Sequence, residues 1–453
     1  MRASSASPVT LRIVLVRHGL SSFNVEHRIQ GRDDLSSLTD EGRDQARLTG
    51  EALRDLRFDA AYTSPLRRAA ATAEGLLAAQ GQGLAATASD DLFEIDLAPW
   101  SGLLRHELKD RFPEQERLWR EAPHTLTLER GGSSYSPLGE LMEQAGRFKA
   151  RLLAEHGDGL EGADRTVLVV GHNAILRCLL LSLLELPASG FRRLRVDNCS
   201  ASVLNLSRGP EGGIAVQVES LNGTAHLGDP LPGRGKGPRM VLVRHGETDW
   251  NRQGRFQGQI DIPLNANGRS QAEAAGRFLA PVSFHRAYSS SMARPRQTAE
   301  AILASHPGVP LTTTRGLVEI GHGLWEGRLE SEIAEGWPQL LADWKRAPET
   351  VQMPEGETIH DVWNRSLETW NTIARSLGSD ETALVVAHDA VNKTILCALL
   401  GLTAADIWAI KQGNGGVTVI DYPNGAEAGP VVSAMNLTTH LGGVLDRTAA
   451  GAL

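Results

Sequence analysis

The residues most able to do chemistry in this 453-residue chain occur in two sets of the same composition. Each set contains two arginines, two histidines and one glutamate, in the same order along the sequence. The first set is Arg17, His18, Arg68, Glu94 and His172, and the second is Arg244, His245, Arg294, Glu319 and His388. Any one of these residues alone is most often structural, but an ordered set that occurs twice indicates a functional site.

This combination of side chains suits the transfer of a phosphoryl group without a metal ion. Guanidinium groups match the oxygens of a phosphate dianion better than lysine does. A neutral imidazole is a competent nucleophile at about pH 7, and a histidine at a helix N-terminus adds a donor where backbone N–H groups already favour an anion. A glutamic acid supplies the proton that a departing alkoxide needs. The three cysteines, at 178, 199 and 397, lack ligand spacing, so we predict no metal and no other cofactor.

The chain is predicted to be a tandem duplication of one domain. The segment LRIVLVRHGLSSFN from Leu11 returns as RMVLVRHGETDWN from Arg239, and TVLVVGHNAILRCLL from Thr166 returns as TALVVAHDAVNKTIL from Thr382. Landmarks in one order at a nearly constant spacing indicate that a whole domain was duplicated. A stretch rich in Gly and Pro between the copies predicts a linker. We therefore predict a disordered tail at residues 1–10, one domain at 11–227, a linker at 228–238 and a second domain at 239–453.

The elements that must position these residues alternate between strands and helices. Short apolar, β-branched runs end at Arg-His-Gly in both copies, as buried parallel strands do. Helix-forming stretches follow Asp or Asn start signals. We predict an α/β fold in which each domain has three layers, α/β/α, around a largely parallel sheet. Ligands of such sheets bind beyond the carboxyl ends of the strands, and we expect each set of five residues to meet there.

Composition and charge restrict the class of partner. Hydrophobic residues make up 41% of the chain and charged residues 22%, which is typical of globular proteins. The net charge of −8 argues against nucleic acid, and the longest apolar run, residues 179–186, is too short to cross a bilayer. The N-terminus has no signal-peptide pattern, and an odd cysteine count without a framework suggests a reducing compartment. We expect a cytoplasmic protein that acts on a small molecule, with no nucleic-acid or membrane partner, and make no prediction about its oligomeric state.

The motifs of the second copy, LVRHGETDWN, SSMARPRQTAEAI, EIGHGLWEG, GET and VVAHDA, resemble the histidine phosphatase (phosphoglycerate-mutase-like) superfamily, and the first copy carries related motifs. The resemblance implies that His18 and His245 are phosphorylated and that Glu94 and Glu319 donate protons. It assigns the other members of each set to phosphate pockets: Arg17, Arg68, His172, Arg244, Arg294 and His388. Further positions match family residues that line the phosphate and substrate entrance: Asn24, Gln30, Gly31, Asn251, Gln257 and Gly258. The alternative is that these six residues only form turns.

The first copy departs from the family pattern outside its five central residues. Three neutral residues stand where the second copy has glutamate: Leu20 for Glu247, Ser101 for Glu326 and Ser133 for Glu357. Because a carboxylate repels phosphate, we expect these glutamates to hold the arginines and neighbouring loops in place. We therefore expect both copies to form a phosphohistidine and the second copy to carry most of the turnover. His226 and His440, which also recur, are interpreted as structural.

The sequence favours a phosphatase over a mutase. Glycolytic mutases of this family carry a long insertion with a tyrosine-containing run, whereas residues 319–357 here are short and lack tyrosine. The tandem architecture resembles cyanobacterial and chloroplast 2-carboxy-D-arabinitol-1-phosphate phosphatases, which implies a sugar-phosphate or carboxy-sugar phosphate monoester as substrate. Three alternatives stay open: an α-ribazole-5′-phosphate or phosphoserine phosphatase, a cofactor-dependent phosphoglycerate mutase, and one copy that binds phosphate esters without catalysis.

Chelation of metal ions should leave the activity intact. Each set already contains the donors, the nucleophile and the acid for phosphoryl transfer, so hydrolysis of a phosphate ester should survive excess EDTA. A metal-dependent phosphatase treated alongside serves as the control. Loss of activity in EDTA with recovery on adding Mg²⁺ or Zn²⁺ would contradict the metal-free mechanism.

Overall fold

The computed structural model describes residues 10–157, 163–209 and 212–448. The chain divides into two compact units: unit 1 holds the described residues up to Val218 together with Asn222–Asp229, and unit 2 holds Glu219–Leu221 and the described residues from Pro230. Along the chain, the main division falls within the predicted linker, residues 228–238. The finer domain limits stay predictions, and the predicted tail, apart from Thr10, lies outside the described residues.

Unit 1 alternates strands and helices. Its strands are β1 (Leu11–Arg17), β2 (Ala60–Thr63), β3 (Thr87–Ala88), β4 (Leu128–Arg130), β5 (Ser133–Tyr135), β6 (Arg165–Gly171), β7 (Ala201–Arg208) and β8 (Ile214–Gly223), which the division between the units crosses. Its helices are α1 (Ser22–Val25), α2 (Asp40–Ala52), α3 (Arg67–Gln80), α4 (Arg105–Arg111), α5 (Pro113–Glu121), α6 (Pro137–His156) and α7 (Asn173–Leu183). The sheet order is β8-β7-β1-β6-β2-β3. Strands β1, β6, β2 and β3 are parallel, and β7 is antiparallel to β1.

Unit 2 repeats this arrangement. Its strands are β9 (Arg239–Arg244), β10 (Arg286–Ser290), β11 (Leu311–Thr314), β12 (Thr382–Ala387), β13 (Val417–Asp421) and β14 (Val431–Leu437). Its helices are α8 (Asp249–Gln253), α9 (Ala266–Leu279), α10 (Ala293–Leu303), α11 (Glu330–Gly336), α12 (Pro338–Arg346), α13 (Ile359–Ser376) and α14 (Asp389–Leu400). Strands β11, β10, β12 and β9 are parallel, and β13 and β14 continue the sheet antiparallel. The α/β fold class predicted from the sequence is confirmed in both units.

The central strands are apolar because both of their faces are covered. β9 and β12 are buried along their whole length, and helix pairs pack within each unit, α2 with α3, α6 with α7, α9 with α10 and α13 with α14. An uninterrupted run of apolar, often β-branched residues is typical of parallel strands that lie between two helix layers. The hydrophobic core of unit 2 includes Val241, Val243, Leu384 and Val386 from these two strands.

The register of two neighbouring strands in each unit brings the two histidines together. Arg17 of β1 pairs with Gly171 of β6, and the backbone N–H of His18 donates to the Gly171 carbonyl at 2.9 Å. In unit 2 Arg244 pairs with Ala387 in the same way. Because parallel strands end at the same edge of the sheet, each Arg-His pair emerges beside the histidine that follows the adjacent strand.

A close backbone contact fixes the loop after the first strand of each unit. A Cβ atom at Gly246 would clash with the Gly268 carbonyl at the start of α9, and one at Gly268 would clash with the backbone of Glu247. Gly19 and Gly42 meet in the same way in unit 1. Only glycine permits this approach, which holds the loop that carries each phosphorylation candidate against α2 in unit 1 and α9 in unit 2.

Two further features concern membrane association and the state of the cysteines. Within the described ranges, no helix combines the length and the apolar character needed to cross a membrane. Cys178, Cys199 and Cys397 are buried and form no disulfide, and burial raises the pKa of the Cys199 thiol to about 12. These thiols therefore pack as small apolar groups.

Candidate active site

The first histidine of each set presents one defined ring nitrogen to the site. His18 and His245 follow β1 and β9 directly and are 3% and 2% exposed. The Nδ1 of His18 lies 2.8 Å from the carbonyl oxygen of Gly19, and that of His245 lies 2.7 Å from the oxygen of Gly246. Because a carbonyl oxygen only accepts, each Nδ1 carries the proton and each Nε2 keeps its lone pair.

The surroundings keep these imidazoles uncharged. Burial, followed by the charges of Arg17 and Arg68, places the pKa of His18 well below its usual value. Burial, followed by Arg294 and Arg244, does the same to the pKa of His245. In unit 2 the guanidinium Nε of Arg294 donates to His245 Nε2 at 3.3 Å, which aims the lone pair at the arginine cluster. A neutral, oriented imidazole is the reactive form of a nitrogen nucleophile.

The second histidine of each set stands at the N-cap of a helix. His172 precedes α7 and His388 precedes α14, and both are fully buried. The ring of each lies 5.1 Å, edge to face, from the ring of its unit's first histidine. His388 Nε2 is 2.9 Å from Ser290 Oγ, whereas neither ring nitrogen of His172 has a hydrogen-bond partner among the described residues. Both rings therefore have nitrogen atoms left to bind a ligand.

The arginines are held by backbone carbonyl groups. Arg68 donates to the oxygens of Gly31 and Asp33 at 2.9 and 3.0 Å, and Arg294 donates to those of Gly258 and Ile260 at 2.8 and 3.4 Å. Both are buried, and burial lowers the pKa of Arg294 to about 10, which still leaves it charged at neutral pH. Carbonyl oxygens orient a guanidinium group without cancelling its charge.

The other two arginines complete each cluster. Arg17 donates to the Val196 carbonyl at 2.9 Å, and Arg244 donates to the Gln412 carbonyl. The Nε atoms of Arg17, Arg68 and Arg244 are buried without a hydrogen-bond partner among the described residues. These N–H groups can bind the oxygens of an anion placed between the two histidines.

Each glutamate lies in a loop after a short 3₁₀ helix and interacts with the helix that the second histidine caps. Glu94 accepts hydrogen bonds from the N–H groups of Ala174 and Ile175 at 3.1–3.2 Å, and Glu319 accepts one from Asp389 at 3.0 Å. The first-turn N–H groups, which the sequence analysis expected to favour an anion, thus bind the carboxylate of the glutamate in each unit. The carboxylates are placed beside the histidines.

Unit 2 has a second carboxylate beside its glutamate. Burial, followed by the negative charge of Asp389, raises the pKa of Glu319 above its usual value. Asp389 also lies 3.5 Å from Arg244 and 2.9 Å from Lys393. Unit 1 has Asn173 at the corresponding position, after His172. The raised pKa lets Glu319 keep its proton to a higher pH than an ordinary glutamate, so a larger fraction of it is able to donate a proton.

The predicted entrance residues contact the helix starts and the buried arginines that surround each site. Asn24 and Asn251 occupy position N3 of capping boxes that start α1 and α8. The side-chain oxygens of Gln30 and Gln257 accept from Ser21 and Thr248 at 3.2 and 2.6 Å. Gly31 and Gly258 contribute the carbonyls that hold the buried arginines, and Gly31 adopts a left-handed φ of 56°.

Sequence reasoning missed a pair of asparagines that support the phosphorylation candidates. Asn198 donates to the carbonyl of His18 at 2.8 Å, and Asn414 donates to that of His245 at 3.2 Å. Each also contacts the entrance asparagine of its unit, Asn24 or Asn251. Their equal spacing after His172 and His388 was the available signal, although the residues around them differ between the copies.

The glutamates found only in unit 2 hold loops, as the sequence analysis expected. Glu326 accepts from the N–H groups of Gln259 and Ile260, both at 2.8 Å, in the loop whose carbonyls hold Arg294. Glu357 accepts from Gly321 N–H at 2.8 Å and pairs with Arg365 at 2.9 Å. These are charge-assisted contacts, which are stronger than neutral hydrogen bonds.

Unit 1 holds the corresponding loop with different contacts. Ser101 Oγ donates to Asp33, and Arg32 donates to the Glu94 carbonyl at 3.0 Å and to Gln144 at 2.8 Å. Gln144 in turn donates to the Phe93 carbonyl at 2.7 Å. Glu247, at the third substituted position, pairs with Arg252 at 2.8 Å, whereas Leu20 has no charge to offer. The two buried arginines keep similar carbonyl partners despite these changes.

No group of three His, Cys, Asp or Glu side chains within the described ranges is arranged to hold a metal ion. The absence of a metal and of a cofactor from the reaction stays a prediction. Each site combines two guanidinium groups, an oriented neutral imidazole, a second imidazole and a buried carboxyl group. Such an arrangement can bind a tetrahedral dianion, attack it from nitrogen and protonate the group that leaves.

Comparisons with known proteins match both units. The family model of the histidine phosphatase superfamily (branch 1) matches residues 13–215 and 240–437. The chain is 30% identical over 454 residues to 2-carboxy-D-arabinitol-1-phosphatase of Triticum aestivum, covering 95% of this chain and 86% of that protein. It is 31% identical over 204 residues to phosphoserine phosphatase 1 of Hydrogenobacter thermophilus, covering 45% and 94%. A solved structure, Bacillus stearothermophilus YhfR, has 31% identity and a TM-score of 0.43 and covers 45% of this chain and 99% of that one.

Removing the charge of Asp389 should lower the pKa of Glu319. The neighbouring negative charge opposes ionisation of Glu319, so Asp389→Asn should let the carboxyl group lose its proton at lower pH. The measurement is a ¹³C NMR titration of the Glu319 side-chain carboxyl, assigned with Glu319→Gln. Glu427→Gln, which removes an exposed charge paired with Arg375, is the control and should cause no shift. An unchanged or higher midpoint in Asp389→Asn would contradict the coupling.

Proposed function

The chain belongs to the histidine phosphatase superfamily and is a phosphoric monoester hydrolase, and we propose that each unit hydrolyses a small phosphate monoester through a phosphohistidine, without a metal ion. One observation carries the proposal. In each unit a buried histidine has its Nδ1 hydrogen-bonded to the carbonyl of the next residue, and a second histidine lies 5.1 Å away. The free Nε2 thus faces a cluster of arginines that suits a phosphoryl group.

In the proposed first step, Nε2 of His18 or His245 attacks the phosphorus atom of the bound ester. The bond from phosphorus to the ester oxygen breaks, and that oxygen takes its electron pair and a proton from Glu94 or Glu319. The alcohol leaves, and the phosphoryl group stays on the histidine. The arginines and the second histidine stabilise the charge that spreads over the three equatorial oxygens.

In the second step, a water molecule attacks the phosphohistidine from the side that the alcohol vacated. The glutamate, now ionised, accepts a proton from the water as the new bond to phosphorus forms. The bond from phosphorus to nitrogen breaks, which restores the neutral imidazole and releases inorganic phosphate. The glutamate returns to its protonated form, so one carboxyl group serves both steps.

We propose a sugar-phosphate or carboxy-sugar phosphate as the substrate class. The support is the relative from Triticum aestivum, whose name specifies 2-carboxy-D-arabinitol 1-phosphate and whose match extends over both units. The relative from Hydrogenobacter thermophilus, named for phosphoserine, matches less than half of the chain. We also propose a cytoplasmic location, because three buried thiols without a disulfide suit a reducing compartment.

The two units should differ in turnover. Unit 2 has the carboxylates that hold its loops, Glu326 and Glu357, and a glutamate whose pKa is raised. A site that depends on prearranged charge becomes slower when its supports are weaker. We propose that unit 2 carries most of the hydrolysis of esters with no charge beyond the phosphate.

Single replacements of the two phosphorylation candidates test this division. With glycerol 3-phosphate, His245→Ala should remove most of the phosphate release, His18→Ala a minor share and the double variant all of it. Acid-labile label from ³²P-substrate, trapped on the chain, should disappear from the corresponding histidine-containing peptide in each single variant. Inactivity of His18→Ala beside a nearly silent His245→Ala would reverse the ranking, and label on neither histidine would overturn the phosphohistidine.

Replacement of the proposed acid should depend on the leaving group. In a His18→Ala chain, Glu319→Gln should slow hydrolysis of glycerol 3-phosphate by roughly a hundredfold or more, which is the usual contribution of a positioned acid. With p-nitrophenyl phosphate the leaving group needs no proton, so the loss should be much smaller. Equal losses on the two esters would assign Glu319 to binding rather than to proton transfer.

A further inference from the structure

Unit 1 contains two arginines beside its site that form no ion pair with a carboxylate among the described residues. Arg177 lies on α7, and Arg192 lies in the 3₁₀ helix Ala188–Arg193. The Nε atoms of both are buried without a hydrogen-bond partner, and neither arginine forms an ion pair within the described part of the chain. Both side chains are partly buried, and cations withdrawn from water are rare unless they are paired, so this pair requires an explanation.

The position of Arg177 follows from contacts at the start of α7. Asn173 and Arg17 both donate to the carbonyl oxygen of Val196, each at 2.9 Å, so Asn173 borders the phosphate-binding arginine. Arg177 follows Asn173 by four residues and therefore lies on the same face of the helix, about one turn or 5.4 Å further along. Arg177 is thus within reach of the other end of a short ester bound at His18.

The two arginines lie over the same aromatic ring. The guanidinium groups of Arg177 and Arg192 lie 5.1 and 5.8 Å from the ring centroid of Phe191. Arg192 is fixed by a hydrogen bond to the Trp119 carbonyl and lies 5.0 Å from the Trp119 ring centroid. Burial and the charge of Arg192 lower the pKa of Arg177 to about 9. An anion bound here would relieve the repulsion between the two cations.

Unit 2 has a corresponding helix and 3₁₀ helix, α14 and Ala404–Ala409, but there the positive charge is neutralised by an ion pair. Lys393 takes the position of Arg177, and Asp389, which replaces Asn173, forms an ion pair with it at 2.9 Å. Trp408 stands where unit 1 has Arg192, and its ring lies 4.9 Å from the Lys393 ammonium. At these matched positions the net charge of unit 1 is therefore two units more positive than that of unit 2, because Asn173 replaces the negative Asp389 and the positive Arg192 replaces Trp408.

We propose that unit 1 has a second anion subsite, formed by Arg177 and Arg192 against Phe191, which binds a carboxylate at the far end of a phosphate monoester. Asp389 and Trp408 remove this subsite from unit 2. A carboxylate fits better than a second phosphate because it has two oxygens and one charge for the two guanidinium groups, whereas the phosphate pocket adds two histidines to its two arginines. The inference rests on the proposed function, because it takes the phosphate to lie at His18.

Two esters that differ only at the far end test the subsite. In the His245→Ala chain, where only unit 1 can turn over, 3-phosphoglycerate should have a higher kcat/KM than glycerol 3-phosphate, which has a hydroxymethyl group in place of the carboxylate. Arg177→Gln should lower kcat/KM for 3-phosphoglycerate by about tenfold to a hundredfold, the range for a charge-assisted contact, and should affect glycerol 3-phosphate much less. Asn173→Asp, which introduces the carboxylate of unit 2, should act in the same direction.

A matched control separates the subsite from general effects of charge. Arg111 also lies over an aromatic ring, 5.7 Å from the centroid of Phe112, but it is exposed at the end of α4. Arg111→Gln should leave the ratio of the two kcat/KM values unchanged. In the reciprocal His18→Ala chain, where only unit 2 can turn over, the preference for 3-phosphoglycerate should be absent.

The outcomes distinguish this inference from the proposed function. Turnover by unit 1 without a preference for 3-phosphoglycerate, or equal losses on both esters in Arg177→Gln and Asn173→Asp, would overturn the subsite and leave the phosphatase in place. If the His245→Ala chain hydrolyses neither ester, calorimetric binding of the two esters to that chain decides. Tighter binding of 3-phosphoglycerate that Arg177→Gln abolishes would support the subsite although unit 1 is not catalytic, and equal binding would overturn it.

Discussion

The architecture of each site depends on a buried guanidinium group that is held by backbone carbonyls instead of a carboxylate. Arg68 and Arg294 are almost fully buried, and both bind carbonyl oxygens of the loop that follows the first short helix. A carboxylate would hold a guanidinium group equally well but would cancel its charge, whereas carbonyl dipoles leave the positive field available to a phosphate dianion. The loop must therefore be rigid, and in unit 2 Glu326 holds it by accepting hydrogen bonds from the backbone N–H groups of Gln259 and Ile260.

The same positive field determines the state of the histidines. An imidazole close to two arginines and shielded from water loses its proton, so the arginines that bind the phosphate also keep the nucleophile neutral. The carbonyl partner of Nδ1 then decides which nitrogen reacts. Phosphate binding by the arginines and the nucleophilicity of the histidine thus depend on the same arrangement of charges. The five residues that form this arrangement occur in both units, whereas the residues around them differ.

Divergence between the units is concentrated around this shared centre. Unit 2 surrounds its arginines with carboxylates that hold loops and, through Asp389, raise the pKa of Glu319. Unit 1 has fewer carboxylates and leaves two cations without an ion pair, Arg177 on α7 and Arg192 in the 3₁₀ helix Ala188–Arg193. The first arrangement favours protonation of a leaving group, and the second favours an ester with an additional negative charge.

The sequence by itself determined the residue types of both sites, the duplication and the α/β class, because strand periodicity and repeated motifs are local in the chain. It also placed Arg17-His18 and His172 at strand ends, and the parallel register then brings them together. Only the tertiary structure decided which hydrogen-bond donor pairs with which acceptor when the two residues are far apart in the sequence. Glu319 accepts from Asp389, 70 residues away, so the helix N-terminus orients a glutamate. Likewise, Arg177 is an ordinary helical residue by sequence, and only the tertiary structure places it over Phe191 beside the charge of Arg192 without an ion pair, because charge balance depends on neighbours in space.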